Sequence, residues 1–80
     1  MTVLQNSNNL DAALGSALRD IRKSHNLTAR ALAQKSGVSA AMISRLERGH
    51  ASASMATLSA LSQALNVPLV SLFREIATEH

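Results

Sequence analysis

Apolar residues recur along this chain at spacings of three and four, the period of a helix that buries one face. Leu10, Leu14, Ala17, Leu18 and Ile21 form one such stripe, which predicts a first helix from about Leu10 to His25. Two shorter runs follow, Ala29 to Lys35 and Ala40 to Arg48, separated by Ser36-Gly37-Val38-Ser39. Thr28 and Ser39 stand where a hydroxyl takes the orphan amides of a first turn, and Gly37 and Gly49 stand where a left-handed residue ends a helix. Ser54 caps a fourth run carrying Leu58, Leu61, Ala64 and Leu65, with Asn66 as its stop. Pro68 suits the first turn of a fifth, where its missing donor costs nothing, and Leu69, Leu72, Phe73 and Ile76 continue the apolar pattern. No run of four or more residues alternates strictly between apolar and polar, so the expected class is all-α, five short helices without a sheet. Residues 1–9 are polar and aperiodic, and read as a flexible N-terminal arm with Asn8 or Asn9 capping the first helix; residues 10–80 make the domain.

The tight link between the second and third runs carries the most information. A turn this short makes its two helices cross steeply, which requires a small residue at the contact and apolar anchors around it. Ala33 is the small residue, and Leu32, Val38, Ile43 and Leu46 are the anchors. Residues 28–48 therefore read as a helix-turn-helix, the shape that lays its second helix into a DNA groove. With Ile43 and Leu46 facing inward, Ala41, Ser44, Arg45 and Arg48 line the outer side of the third helix. Arg45 is the base-reading candidate, because its forked donors match the two acceptors on a guanine edge; Ser44 can donate or accept nearby. Ala40 and Ala41 offer only methyl groups, which suit thymine methyls and let a helix sit deep. Ser39 and Thr28, each at the positive start of a helix, are placed to hold phosphates, and Arg30, Arg48, His50, Ser52 and Ser54 are further phosphate candidates.

Composition agrees with this reading without deciding it. Eight Lys plus Arg against five Asp plus Glu give a formal charge of +3, and the isoelectric point near 10.7 favours a polyanionic partner. Eighty residues suffice for one small core. Without cysteine there is neither a disulfide nor a thiolate metal site, which suits a reducing cytoplasm. No apolar run approaches the roughly 20 residues of a membrane span, and the start of the chain lacks the pattern of a signal peptide. His25 and His50 have no partners at ligand spacing and read as a helix-end and a loop histidine, so neither metal nor cofactor is expected. No nucleophile stands with a base and an orienting acid, and no Gly-rich phosphate loop occurs, which argues against an enzyme.

From about Leu14 to Phe73 the chain resembles the Cro/C1-type (XRE) family of helix-turn-helix regulators. The resemblance rests on Leu14-Gly15 with Arg22, Leu27-Thr28 with Leu32-Ala33, Gly37-Val38-Ser39, Ile43-Ser44, Glu47-Arg48-Gly49, Leu65-Asn66-Val67 and Leu72-Phe73. It implies a compact five-helix, lambda-repressor-like domain whose third helix lies in the major groove, binding as a homodimer to a palindromic operator. It also implies an ion pair between Arg22 and Glu47 that ties the first helix to the third. Leu46-Glu47-Arg48-Gly49 with the small-residue loop after it, and Val67-Pro68-Leu69, are similar to regulators that carry a downstream cupin domain; none lies within these 80 residues. The chain departs from the family at Ala29, where Gln is common, at Ala40, where a polar or basic residue is frequent, and at Ala53, where Pro is frequent. Direct base contacts are therefore expected to be few. The leading expectation is a sequence-specific, cytoplasmic transcriptional regulator, a repressor, with double-stranded DNA as partner and no membrane; the alternative is a protein-interaction module such as the DNA-binding antitoxin of a toxin pair.

Overall fold

The computed structural model describes residues 3–72. Four helices lie within them: α1 (Val3–Ser24), α2 (Ala29–Ser36), α3 (Ala40–Glu47) and α4 (Met55–Leu65). The backbone turns helical again at 70–72. No strand occurs among the described residues, as the periodicity predicts. Phe73 and Ile76 of the expected fifth stripe lie outside them.

The helix ends are set by local chemistry. Thr28, Ser39 and Ser54 are extended and accept from the amides of Ala31, Met42 and Thr57, so α2, α3 and α4 each begin on a hydroxyl cap. Asn26, Gly37, Gly49 and Asn66 all have positive φ, and one closes each helix in turn. At three of these ends the amides of the left-handed residue and its successor both return to the last turn. Asn26 donates to Lys23 O at 2.9 Å and Leu27 to Arg22 O at 3.2 Å, and the same pattern recurs at Gly49-His50 and Asn66-Val67. At Gly37 a single bond to Ala33 O at 2.9 Å does the work.

Two expectations for α1 need correction. Its helix begins at Val3 rather than Leu10, so the arm expected over residues 1–9 is helical from residue 3, and neither Asn8 nor Asn9 caps it. Propagating an existing helix fixes only one further residue per hydrogen bond, and this polar stretch contains no Gly or Pro to stop it. Leu10, assigned to the core stripe, is 44% exposed. The loop after α3 meets α1 at Asp11 and Ala12, through the Ser52–Asp11 hydrogen bond and the approach of Gly49 to Ala12.

Leu18, Leu32, Ile43, Leu46, Leu58, Leu61, Leu65 and Leu72 form one buried cluster, to which every described helix contributes. Ala33 and Val38 pack against its edge. α1 approaches α3 closely at Gly15. A methyl group built there would collide with the carbonyl oxygen of Leu46 and come within 3.1 Å of the Glu47 backbone. Gly15 thus fixes how near the first helix can lie to the third. On α4, the buried Ser62 satisfies its hydroxyl by donating to Ser59 O at 3.0 Å. Among the described residues no helix is long and apolar enough to cross a membrane, and no group of acidic or histidine side chains could hold a metal ion.

Candidate nucleic-acid interface

Burial of Ile43 and Leu46 fixes the rotation of α3 and turns its other side outward. Ala41, Arg45 and Arg48 are exposed there, and Ser44 is half-buried beside them. Ala40 is half-buried as well, so of the two alanines at the start of α3 it is Ala41 that presents the freer methyl. The outer face pairs one small position near its start with two guanidinium groups near its end.

Beneath this face, Arg22 and Glu47 form a two-pronged ion pair. Arg22 Nε donates to Glu47 Oε2 at 2.7 Å and Nη2 donates to Oε1 at 2.9 Å, while Nη1 donates to Leu27 O at 2.8 Å. One guanidinium thereby joins α1, the α1–α2 turn and α3. Both side chains are largely buried, at 13% and 8% exposure. The hydrogen bonds to Glu47 raise the Arg22 pKa above its ordinary value, against the opposing pull of burial. Removing either partner would strand a buried charge, at a cost of about 3–5 kcal/mol, a large part of the roughly 4–12 kcal/mol available to a domain of this length.

The cap hydroxyls divide into two kinds. Thr28 and Ser39 accept from backbone amides at 3.0 and 3.1 Å, and their own protons have no acceptor among the described residues. Each can still donate to an oxyanion at the positive start of its helix. Ser54 instead donates to Thr57 Oγ1 at 3.0 Å, and Ser52 donates to Asp11 Oδ2 at 2.8 Å. These two hydroxyls are occupied within the fold, and the Asp11 carboxylate opposes a phosphate beside Ser52. Arg30, on the first turn of α2, and His50, in the loop after α3, are exposed as a surface contact needs. His25 lies at the end of α1 with Nδ1 2.9 Å from Ile21 O, the helix-end position expected for it.

One basic side chain escaped the sequence reading. Arg19 lines a groove together with Arg22, Ala29, Ser44, Glu47 and Arg48. The available signal was its spacing: Arg19 precedes Arg22 by three residues and so shares its side of α1. Asp11, which holds Ser52, carried no comparable mark.

Residues 18–72 match the family model described as helix-turn-helix, which is more than half of the chain. The chain belongs to the Cro/C1-type (XRE) helix-turn-helix family. No curated protein matches it significantly, whereas several solved structures do. The restriction-modification controller protein C.AhdI from Aeromonas hydrophila is 28% identical with a TM-score of 0.77, over 79% of this chain and 96% of that one. The clp gene regulator ClgR from C. glutamicum is 37% identical with a TM-score of 0.81, over 88% of this chain and 91% of that one. A transcriptional regulator from Vibrio cholerae is 30% identical with a TM-score of 0.85; it matches 91% of this chain but only 41% of its own length. For this XRE-family chain, family and relatives together support DNA-binding transcription regulation.

Proposed function

We propose that this XRE-family domain is a sequence-specific repressor that lays α3 in the major groove and binds a palindromic operator as a homodimer. The observation that carries the reading is the outer face of α3, where Arg45 and Arg48 are exposed beside Ala41 over a helix anchored by Ile43 and Leu46. Arg45 reads a guanine through its paired donors, the methyl of Ala41 rests against thymine, and Ser44 makes a lesser contact. Thr28 and Ser39 hold phosphates on either side of the groove with their unused hydroxyl protons and helix-start amides, and Arg30, Arg48 and His50 add charge along the backbone. Ser52 and Ser54, with their hydroxyls occupied, are left out of this set. Repression follows where the bound dimer covers a promoter.

Selection of binding sites from random duplex DNA tests the reading. The expected product is an inverted repeat with half-site centres about one helical turn apart and a guanine in each half-site. Recovery of no enriched sequence, or of a single unrepeated site, would overturn it.

A further inference from the structure

The groove noted above lies where α1, the start of α2 and the end of α3 meet. Three of its lining groups are guanidiniums, those of Arg19, Arg22 and Arg48, and one is a carboxylate, that of Glu47. Both oxygens of Glu47 are committed to Arg22, and the remaining terminal nitrogen of Arg22 is committed to Leu27 O. The acid and one base in the lining therefore cancel. Arg19 and Arg48 are exposed, and neither forms an ion pair among the described residues. Ser44 adds a hydroxyl to the same lining, and Ala29 brings the positive start of α2 while taking up little space. Two uncompensated guanidiniums, a hydroxyl and a small residue describe an oxyanion seat.

We propose that this groove holds a backbone phosphate of the bound DNA, with Arg19 of α1 as its principal ligand and Arg48 completing the clamp. The inference rests on the DNA-binding reading above and adds to it a contact from the first helix. The groove is continuous with the outer face of α3, because Ser44 and Arg48 belong to both. It is also open to solvent on one side, as a phosphodiester requires, since the strand must enter and leave. Arg19 lies outside the helix-turn-helix, so its contact fixes the tilt of the domain on the duplex and carries no base information.

Two variants test the assignment by anisotropy titration of a selected operator and of an unrelated duplex at several salt concentrations. Arg19→Ala should weaken binding to both duplexes and make the salt dependence shallower by about 0.9 in log–log slope. Its deficit against the wild type should shrink about 3.5-fold between 50 and 200 mM salt. Arg19→Glu reverses the charge at an exposed position of α1. That variant should bind DNA more weakly still with no fall in melting temperature, which a merely structural role would not produce. An unaltered salt slope in Arg19→Ala, with the wild type binding normally, would overturn the groove assignment alone. Wild-type protein that bound no duplex would bring down the DNA-binding reading together with this one. Thermal protection by inorganic phosphate that Arg19→Ala abolishes, combined with unaltered DNA binding, would reassign the groove to a free anion and overturn the proposal.

Discussion

At the scale of single residues, the arginines of this chain have different tasks because their surroundings differ. Arg22 is enclosed and has donors committed to Glu47 and Leu27, so it braces the fold. Arg45 on α3 and Arg48 at the C-cap of that helix are both exposed, but only Arg48 lines the groove. In the proposed complex, that difference separates a base reader from a phosphate clamp. Arg45→Ala should cost about 1–3 kcal/mol on the preferred operator and relax discrimination at one base position. Arg48→Ala should weaken preferred and unrelated duplexes by the same factor and flatten the salt dependence. Competition titrations against a panel of single-base variants separate the two. A sequence-dependent loss for Arg48→Ala with a uniform one for Arg45→Ala would show that the roles are exchanged.

At the scale of elements, two glycines show how differently one residue type can be required. Gly37 has φ of 81° with nothing within 4 Å of the position a methyl would take, so a side chain there meets only the torsional cost of the left-handed region, roughly 1–2 kcal/mol. Gly15 is helical, and a methyl there would run into the Leu46 and Glu47 backbone. Alanine gains about 1 kcal/mol of helix propensity at such a site. Prying α1 from α3 should outweigh that gain, because the obstacle is main chain and the Arg22–Glu47 pair spans the same two helices. Gly15→Ala should therefore lower the melting temperature more than Gly37→Ala, and only Gly15→Ala should also disturb DNA binding. Equal melting temperatures for the two would show that α1 has room to move. The same contrast explains what was legible in the sequence. The caps of α2, α3 and α4, the left-handed stops at Gly37, Gly49 and Asn66 and the Ile43–Leu46 anchoring are local, so residue type and spacing revealed them. The start of α1 was misjudged because a polar, aperiodic stretch can still propagate a helix. The tight approach at Gly15 and the groove that Arg19 and Arg48 share depend on where distant segments come to lie, and only Arg22 and Glu47 could be paired beforehand, through the family resemblance.

At the scale of the whole molecule, one domain is too small to select a unique site. With eight residues, α3 is about 12 Å long. That spans roughly three to four base-pair steps at 3.4 Å each. In the proposed complex Arg45 is the one long donor turned to base edges within that span, and its neighbours on the outer face are alanines and a serine. So short a stretch recurs too often in any genome for useful regulation. Two copies related by a two-fold axis double the number of bases read, and the fixed distance between them becomes part of the recognised signal. The proposed phosphate ligands would sharpen that dependence, because contacts from α1, α2 and α3 together would hold each copy in one orientation on its half-site. Inserting about five base pairs between half-sites places the second on the opposite side of the duplex and should reduce affinity to that of a single half-site, whereas about ten should restore part of it by returning the second half-site to the same side. Gel-shift titrations across a spacer series provide the measurement. Affinity independent of the spacer would mean that each copy binds alone, and the specificity of the domain would then have to come from DNA deformability.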